Sequence, residues 1–295
     1  MDYTEENFFG NKQNSAKEPE EKLNEKVDVG NTVFSTFMKT FAVLFGLLFY
    51  FLGVSVCVIP EKAIKFYEVF NADKTIIVCY EKIYQKSGEL ADLYNVVQKS
   101  IEAKRYEKTA KYIKKLQNSD GYDEFCSMVN SASVSATENK YIAYVADLDG
   151  YLVSQNILAL YNLGKKQSAK DVAVKDIVYS ENIYSFGIST YIECLMNDKS
   201  YSLEERKQML IEFYEEVVDE NQTMKSISSY IDDKRDLVDL SQAVGNDKVD
   251  KILRVYTSLK IENTRLLYYE AKEMNTDAVR LEIEELQERY AQLIG

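Results

Sequence analysis

Twenty consecutive residues without a charge, TFAVLFGLLFYFLGVSVCVI at positions 40–59, constrain this chain more than any other feature. At about 1.5 Å rise per residue they are long enough to cross the roughly 30 Å hydrocarbon core of a bilayer as one helix. The run is apolar on every side, which separates a spanning helix from an amphipathic surface helix. Lys39 bounds it on one side and Pro60, Glu61 and Lys62 on the other. Apolar residues continue before Lys39 as VFSTFM, so the lysine stem can lie along the helix while its ammonium reaches the interface. A cleaved signal sequence would start with a short basic segment and end at a small-residue site. Here an acidic segment of some thirty residues precedes the run instead. The sequence therefore predicts a membrane helix over 33–59, with residues 40–59 in the bilayer. Lys26 and Lys39 flank one side, and Lys62, Lys65 and Lys74 the other, so lysine asymmetry assigns no orientation.

Residues 1–32 hold eight acids, four lysines, Pro19 and two glycines, with few aliphatic side chains. Such a segment cannot bury enough apolar surface to offset the entropy of ordering, and disorder is expected. Phe8 and Phe9 form a small apolar island within it. Residues 60–295 are different. After Pro60 there is no proline, and glycine is sparse. Proline breaks helices and is common in the turns of β-rich domains, so its absence favours continuous helices. A domain of this length buries about 70% of the surface its unfolded chain exposes, which is ample for a core.

Helical periodicity is direct in several places. In SLEERKQMLIEFYEEVV, Ser202 and Glu205 have capping-box spacing, and Leu203, Leu210, Phe213, Tyr214 and Val217 fall on one face. Ser135 and Glu138 repeat that spacing ahead of NKYIAYVADL. Val249, Ile252, Leu253, Tyr256 and Leu259 keep the 3–4 pattern, as do Val279, Ile283, Leu286, Tyr290 and Leu293. The last set is a heptad seam only two heptads long, which suits a packed terminal helix better than a coiled-coil dimer. DVAVKDIVYSENIYSFGISTYIE, 171–193, is rich in β-branched residues and is compatible with helix or strand. Many of the 23 tyrosines fall at helical core spacing and are expected to pack between helices. EFYEEVVDEN and LEIEELQER read as acidic, solvated helix faces.

Gly88, Gly121 and Gly150 punctuate a series of helix pairs at intervals near the roughly 34-residue period of tetratricopeptide repeats. PEKAIKFYE, with Ala63 and Tyr67 four apart, and RYEKTAKYI resemble the helices of that repeat family. The family's leucine–glycine pair and its spaced tyrosine are not met, and Ala110 stands one position out of place. The resemblance covers about residues 60–165. It implies an all-α domain of α-solenoid type, whose grooves take peptides or partner proteins.

Composition narrows the chemistry. The net charge is −12, which disfavours nucleic acid as a partner. The absence of histidine removes the commonest general base and the commonest metal ligand. Cys57, Cys79, Cys126 and Cys194 lie far apart, with no zinc-knuckle spacing, and are expected to act as small apolar residues. Asn221-Gln222-Thr223 is a formal glycosylation sequon.

One motif points elsewhere. Asp147, Asp149 and Gly150 in YVADLDGYL resemble the D-x-D-G loop of haloacid-dehalogenase-like phosphatases. That resemblance implies Asp147 as nucleophile, Asp149 as acid/base, a magnesium ion, and a parallel sheet carrying the loop. Tyr151 replaces the family's threonine, and Asp232 and Asp233 form an acidic pair without an apolar strand leading into it. The competing helical reading runs a helix from Ser135 through Tyr141, Val145 and Leu148. It then turns at Asp149–Gly150 and continues as a partner helix with Leu152, Ile157, Leu158 and Tyr161 inward. The expectation drawn is a membrane-anchored interaction or scaffold module: tail 1–32, membrane helix 33–59, helical-repeat domain 60–295. Its partners would be the bilayer and a protein or peptide in a helical groove, and no catalytic, cofactor-binding or metal-ligating residue is assigned.

Overall fold

The computed structural model describes residues 20–136, 147–243, 245 and 247–295, with side chains from residue 33 onward except 131–136. Among these the chain is all-α, with 13 α-helices and one small β-ribbon. It divides into two compact units, residues 1–59 and 60–295.

The first unit contains one helix, α1 (Glu20–Val58). Its segment Val33–Val58 is long and apolar enough to cross a bilayer. Phe34, Phe41, Phe45, Leu48 and Phe51 are all exposed. Its described part reaches back to Glu20, inside the segment expected to be disordered. Glu, Lys and Leu are good helix formers, and extending an established helix avoids the cost of nucleation. Phe8 and Phe9 lie outside the described residues.

The second unit opens with α2 (Pro60–Val69), α3 (Asp73–Ser87), α4 (Leu90–Glu102), α5 (Tyr106–Gln117) and α6 (Tyr122–Ala136). It continues through α7 (Leu148–Asn162), α8 (Lys166–Tyr179), α9 (Gly187–Asn197) and α10 (Leu203–Glu215). After the ribbon β1 (Val217–Glu220) and β2 (Thr223–Ser226) come α11 (Ile227–Val238), α12 (Lys248–Ala271) and α13 (Asp277–Ile294). From α2 to α5 each helix packs on the next; α5 then packs on α7, and α7 on both α8 and α9.

Among the described residues two large apolar clusters form most of the interior, and α7 carries side chains into both. Leu148 and Leu152 join Ile77, Leu93, Val97 and Ile113. Val153 and Ile157 join Phe186, Ile192, Leu210 and Ile261. A helix buried on opposite faces must be apolar nearly all round, and LDGYLVSQNILALYN is.

Tyrosine has a second role beyond packing. Tyr112, Tyr161 and Tyr268 donate to Glu81 (2.8 Å), Asp198 (3.0 Å) and Glu215 (2.9 Å), and Tyr184 donates to Asp250. In a chain without histidine, phenol hydroxyls supply donors to partly buried carboxylates such as Glu81 and Asp198. Farther along, Glu262 is 1% exposed and accepts from Arg235 and Arg265, each at 2.7 Å; Arg235 also reaches Glu282. This network ties α11 to α12 and α13.

Several local expectations change. Segment 171–193 contains no strand: α8 runs through Tyr179 and α9 starts at Gly187. Tertiary burial of Ala173, Ile177, Val178, Ile188 and Ile192 outweighs the β preference of the branched residues. EFYEEVVDEN is not one helix. It ends at Glu215 and turns into the antiparallel pair Val217↔Ser226 to Glu220↔Thr223. Asn221 and Gln222 both take positive φ, 50° and 72°, as a two-residue hairpin turn of primed type requires. The sequon thus lies at an exposed turn. On α10, Leu210, Phe213 and Tyr214 are buried as expected, with Leu203 and Val217 exposed beyond the packed turns. Its capping box is complete: Ser202 Oγ accepts from Glu205 N, and Glu205 accepts from Ser202 N. Ser135 lies inside α6 and not at a helix start, while Glu138, Tyr141 and Val145 are outside the described residues. The terminal heptad helix α13 packs on α12, burying Val279, Ile283 and Leu286.

Candidate functional site

The D-x-D-G stretch is the N-terminus of α7. Asp147 is the N-cap, and its Oδ1 accepts from Gly150 N at 3.0 Å and from Asn182 Nδ2 at 2.6 Å. The glycine is required by that geometry, because a Cβ at position 150 would sit 2.2 Å from Asp147 Oδ2. Asp149, two residues after the cap, accepts from Tyr122 Oη at 2.7 Å. The two carboxylates therefore serve different partners, one closing a helix end and one holding α6. The turn placed by sequence at Asp149–Gly150 is instead the first turn of α7, because the Asp147 cap satisfies an otherwise open backbone N–H.

A second aspartate repeats the arrangement. Asp176, on α8, is buried and accepts from Ser185 Oγ at 2.6 Å and from the backbone N–H of Gly187, the first residue of α9. A Cβ on Gly187 would lie 2.7 Å from Ile157 Cδ1 and 3.1 Å from Asp176 Oδ2. Lys234 Nζ donates to Asn182 O at 2.8 Å. Burial raises the carboxyl pKa of both Asp147 and Asp176, against the pull of their hydrogen bonds. Burial likewise lowers the Lys234 ammonium, opposed by the two aspartates. Asp147, Asp176 and Lys234 together form an interior polar node joining α7, α8, the 180–186 loop and α11.

The sheet implied by the phosphatase resemblance is absent among the described residues, whose strands are the eight residues of the ribbon. Asp232 and Asp233 lie on α11, beside Arg265 (3.9 Å) and Lys225 (3.0 Å). No cluster of three or more metal-ligating side chains occurs among the described residues. Burial pushes the Cys126 and Cys194 thiols up to about 11, so neither is a thiolate at neutral pH.

Two open grooves flank α7. One, of about 880 Å³, lies between α7 and α9 and includes Tyr161, Glu193, Cys194 and Asp198. Its Lys166 is neutralised by Asp198. The other, of about 890 Å³, is walled by α5, α7 and α8. Lys111, Lys114, Lys165 and Lys175 line it. All four are exposed, and among the described residues none forms a salt bridge. Lys111 lies 5.0 Å from the ring of Tyr112. Neighbouring lysines off the groove do pair: Lys108 with Glu81, and Lys170 with Glu216. Two of the groove's three acids, Asp149 and Asp176, are already bound by the donors described above, which leaves Glu107. Leu160 and Val153 supply an apolar floor. The site's cations were not singled out from the sequence. Their signal is the lysine spacing in KTAKYIKK, on the side of α5 away from Tyr112, Ile113 and Leu116, and it reads equally as a solvated face.

No family model matches this chain, and neither the curated proteins nor the solved structures contain a match to it.

Proposed function

We propose that this protein is a single-span, membrane-anchored interaction module. Its helical domain is a solenoid-like stack that receives an acidic peptide segment of a partner in the groove between α5, α7 and α8. The observation that carries the reading is the charge inversion: four lysines that form no salt bridge among the described residues converge on one concave surface of a chain with net charge −12. The serial packing of α2 to α5 and onward to α7 and α8 supports the solenoid-like description, since stacked helices create such grooves. The apolar helix segment Val33–Val58 supports the anchor. Tethering confines the groove to a surface and raises its effective concentration toward membrane-bound partners. In this reading the protein acts by binding, without catalysis of its own. Asp147 and Asp149 are structural, one as a helix cap and one as the acceptor of Tyr122.

The test is a direct competition of signs. Full-length protein in detergent micelles is titrated with fluorescent amphipathic peptides of equal length, one glutamate-rich and one lysine-rich, and anisotropy is recorded. Net charge alone favours the basic peptide; the groove favours the acidic one. Replacing Lys114, Lys165 and Lys175 by glutamate should weaken acidic-peptide binding about tenfold, taking roughly 0.5 kcal/mol for each exposed charge. Tighter binding of the basic peptide, or acidic-peptide binding unchanged by the triple substitution, would overturn the reading.

A further inference from the structure

Outside the groove, one exposed patch among the described residues of 60–295 concentrates large apolar side chains. On and just after α2, Phe66, Val69 and Phe70 are 45%, 77% and 65% exposed. The rings of Phe66 and Phe70 lie 5.0 Å apart, and Tyr67 approaches Phe66 at 5.4 Å. The adjoining side of the same helix packs inward through Ala63 and Ile64. Elsewhere in this unit exposed large apolar residues such as Met128, Leu203, Met224 and Leu281 are scattered, as on any protein surface. A clustered patch on a short amphipathic helix requires an occupant.

Continuity of the chain says which. The apolar helix α1 ends at Val58, and Ile59 N still donates to Ser55 O at 3.0 Å; α2 begins at the next residue, Pro60. At about 1.5 Å per residue, Phe66 and Phe70 lie within roughly 9 and 15 Å of Pro60 along the helix. The headgroup layers of a bilayer are several ångströms thick on each side. A helix that leaves the hydrocarbon at its first residue therefore has its aromatic patch within reach of the same membrane surface. Lys62, Lys65 and Lys74 are exposed beside the patch, but Glu61 and Glu68 offset two of them. The hold on lipid is then apolar and not electrostatic, and depends little on anionic lipid.

We propose that Phe66, Val69 and Phe70 insert into the headgroup–acyl boundary and lay α2 on the membrane as an interfacial helix. This inference rests on the membrane-span reading, and the experiment separates the two.

The chain contains no tryptophan, so one substitution creates a single fluorescent reporter. Full-length Leu48→Trp, Phe66→Trp, Phe70→Trp and Met224→Trp are reconstituted in vesicles of neutral lipid. The lipids carry bromine either near the headgroup or near the bilayer centre. Leu48→Trp should lose fluorescence to the central bromine. Phe66→Trp and Phe70→Trp should lose it mainly to the shallow bromine, and Met224→Trp, on the ribbon, to neither. If Leu48→Trp is quenched while both Phe66→Trp and Phe70→Trp are not, the span stands and the interfacial helix is refuted. Blue-shifted but unquenched emission from Phe66→Trp also refutes it, since protein, such as a second copy of the chain, then covers the patch. If Leu48→Trp itself is unquenched, the span reading fails and takes this inference with it.

Discussion

Residues 33–58 and residues 60–295 use the same apolar side chains in opposite ways. Along α1, Phe34, Phe37, Phe41, Phe45, Leu48 and Phe51 are exposed, and rings four apart meet: Phe37 stacks on Phe41 at 6.4 Å and Phe41 on Phe45 at 5.5 Å, while Phe45 meets Phe49 edge-on at 4.9 Å. In the helical domain Phe186, Leu152, Ile157 and Ile192 are inaccessible to solvent. The hydrophobic effect is the same in both; what differs is the partner. A domain supplies its own apolar interior. A lone helix has none, and in the reading proposed above lipid supplies it.

The largest effect should come from charging the outward face. Leu44→Arg with Leu48→Arg places two guanidinium groups near the middle of the apolar segment. At about 2.5–3.5 kcal/mol each on insertion scales, the pair costs about 5–7 kcal/mol. The chain should move from the carbonate-resistant membrane fraction to the soluble or aggregated fraction. The same pair of changes at Leu203 and Leu281, which are exposed on the domain (51% and 58%), should shift thermal stability by no more than about 0.5 kcal/mol. A doubly charged α1 that still resists extraction would erase the distinction between the two regions.

Glycines sharpen the comparison at smaller scale. Around Gly46 and Gly53 of α1 there is open space where a Cβ would go. Alanine at either site should leave the helix intact or favour it by up to about 1 kcal/mol. At Gly150 the same methyl meets the capping carboxylate of Asp147. Gly150→Ala should cost about 1–3 kcal/mol in denaturant unfolding, because the displaced carboxylate no longer caps α7 or accepts from Asn182. Asp147→Ala should cost about as much, and the double variant little more than either, since both remove one arrangement.

The glycine result also marks what could be read from sequence. The outward-facing helix was legible because twenty uncharged residues leave few alternatives. The helical character of 60–295 was legible from missing proline and from 3–4 spacing, and Ser202 with Glu205 closed the capping box expected of them. The role of Asp147 was not legible. Its helix end is completed by Asn182, thirty-five residues away, and no local pattern encodes that contact. The β ribbon was missed because Asn221-Gln222 lacks the glycine of the strongest hairpin signal, yet both residues adopt positive φ. The lysine groove was missed for a related reason. α5 and α8 each read as an ordinary charged helix, and only packing across α7 shows that their cations face one cavity, where two of the three lining acids, Asp149 and Asp176, are already bound by other donors.

The smallest effect separates the two regions by pH. Between Val33 and Val58 the only charged side chain is Lys39, so membrane retention should stay flat from mildly acidic to mildly basic conditions. The domain should not. Lys166 pairs with Asp198, whose carboxyl also accepts from Tyr161 at 3.0 Å. Hydrogen bonding from Lys166 and Ser200 holds the Asp198 pKa well below the usual carboxylate value, and that from Asp198 raises Lys166. A lowered acid contributes stability above its unfolded value of about 3.9, lost as pH falls through the lower folded value. A raised lysine contributes below about 10.4, lost as pH rises through its folded value. The pair therefore acts fully between about pH 4 and 10. Lys166→Met keeps the apolar stem against Tyr161 and Tyr201 while removing the charge. It should lower stability by about 0.5–1 kcal/mol at pH 7, a modest value because the lysine is partly solvated. The gap from the unaltered chain should close as pH drops below about 4. A gap that does not narrow at all as pH falls below about 4 would mean Lys166 acts through packing alone, and the contrast between an ion-paired domain and the uncharged stretch of α1 would lose its electrostatic half.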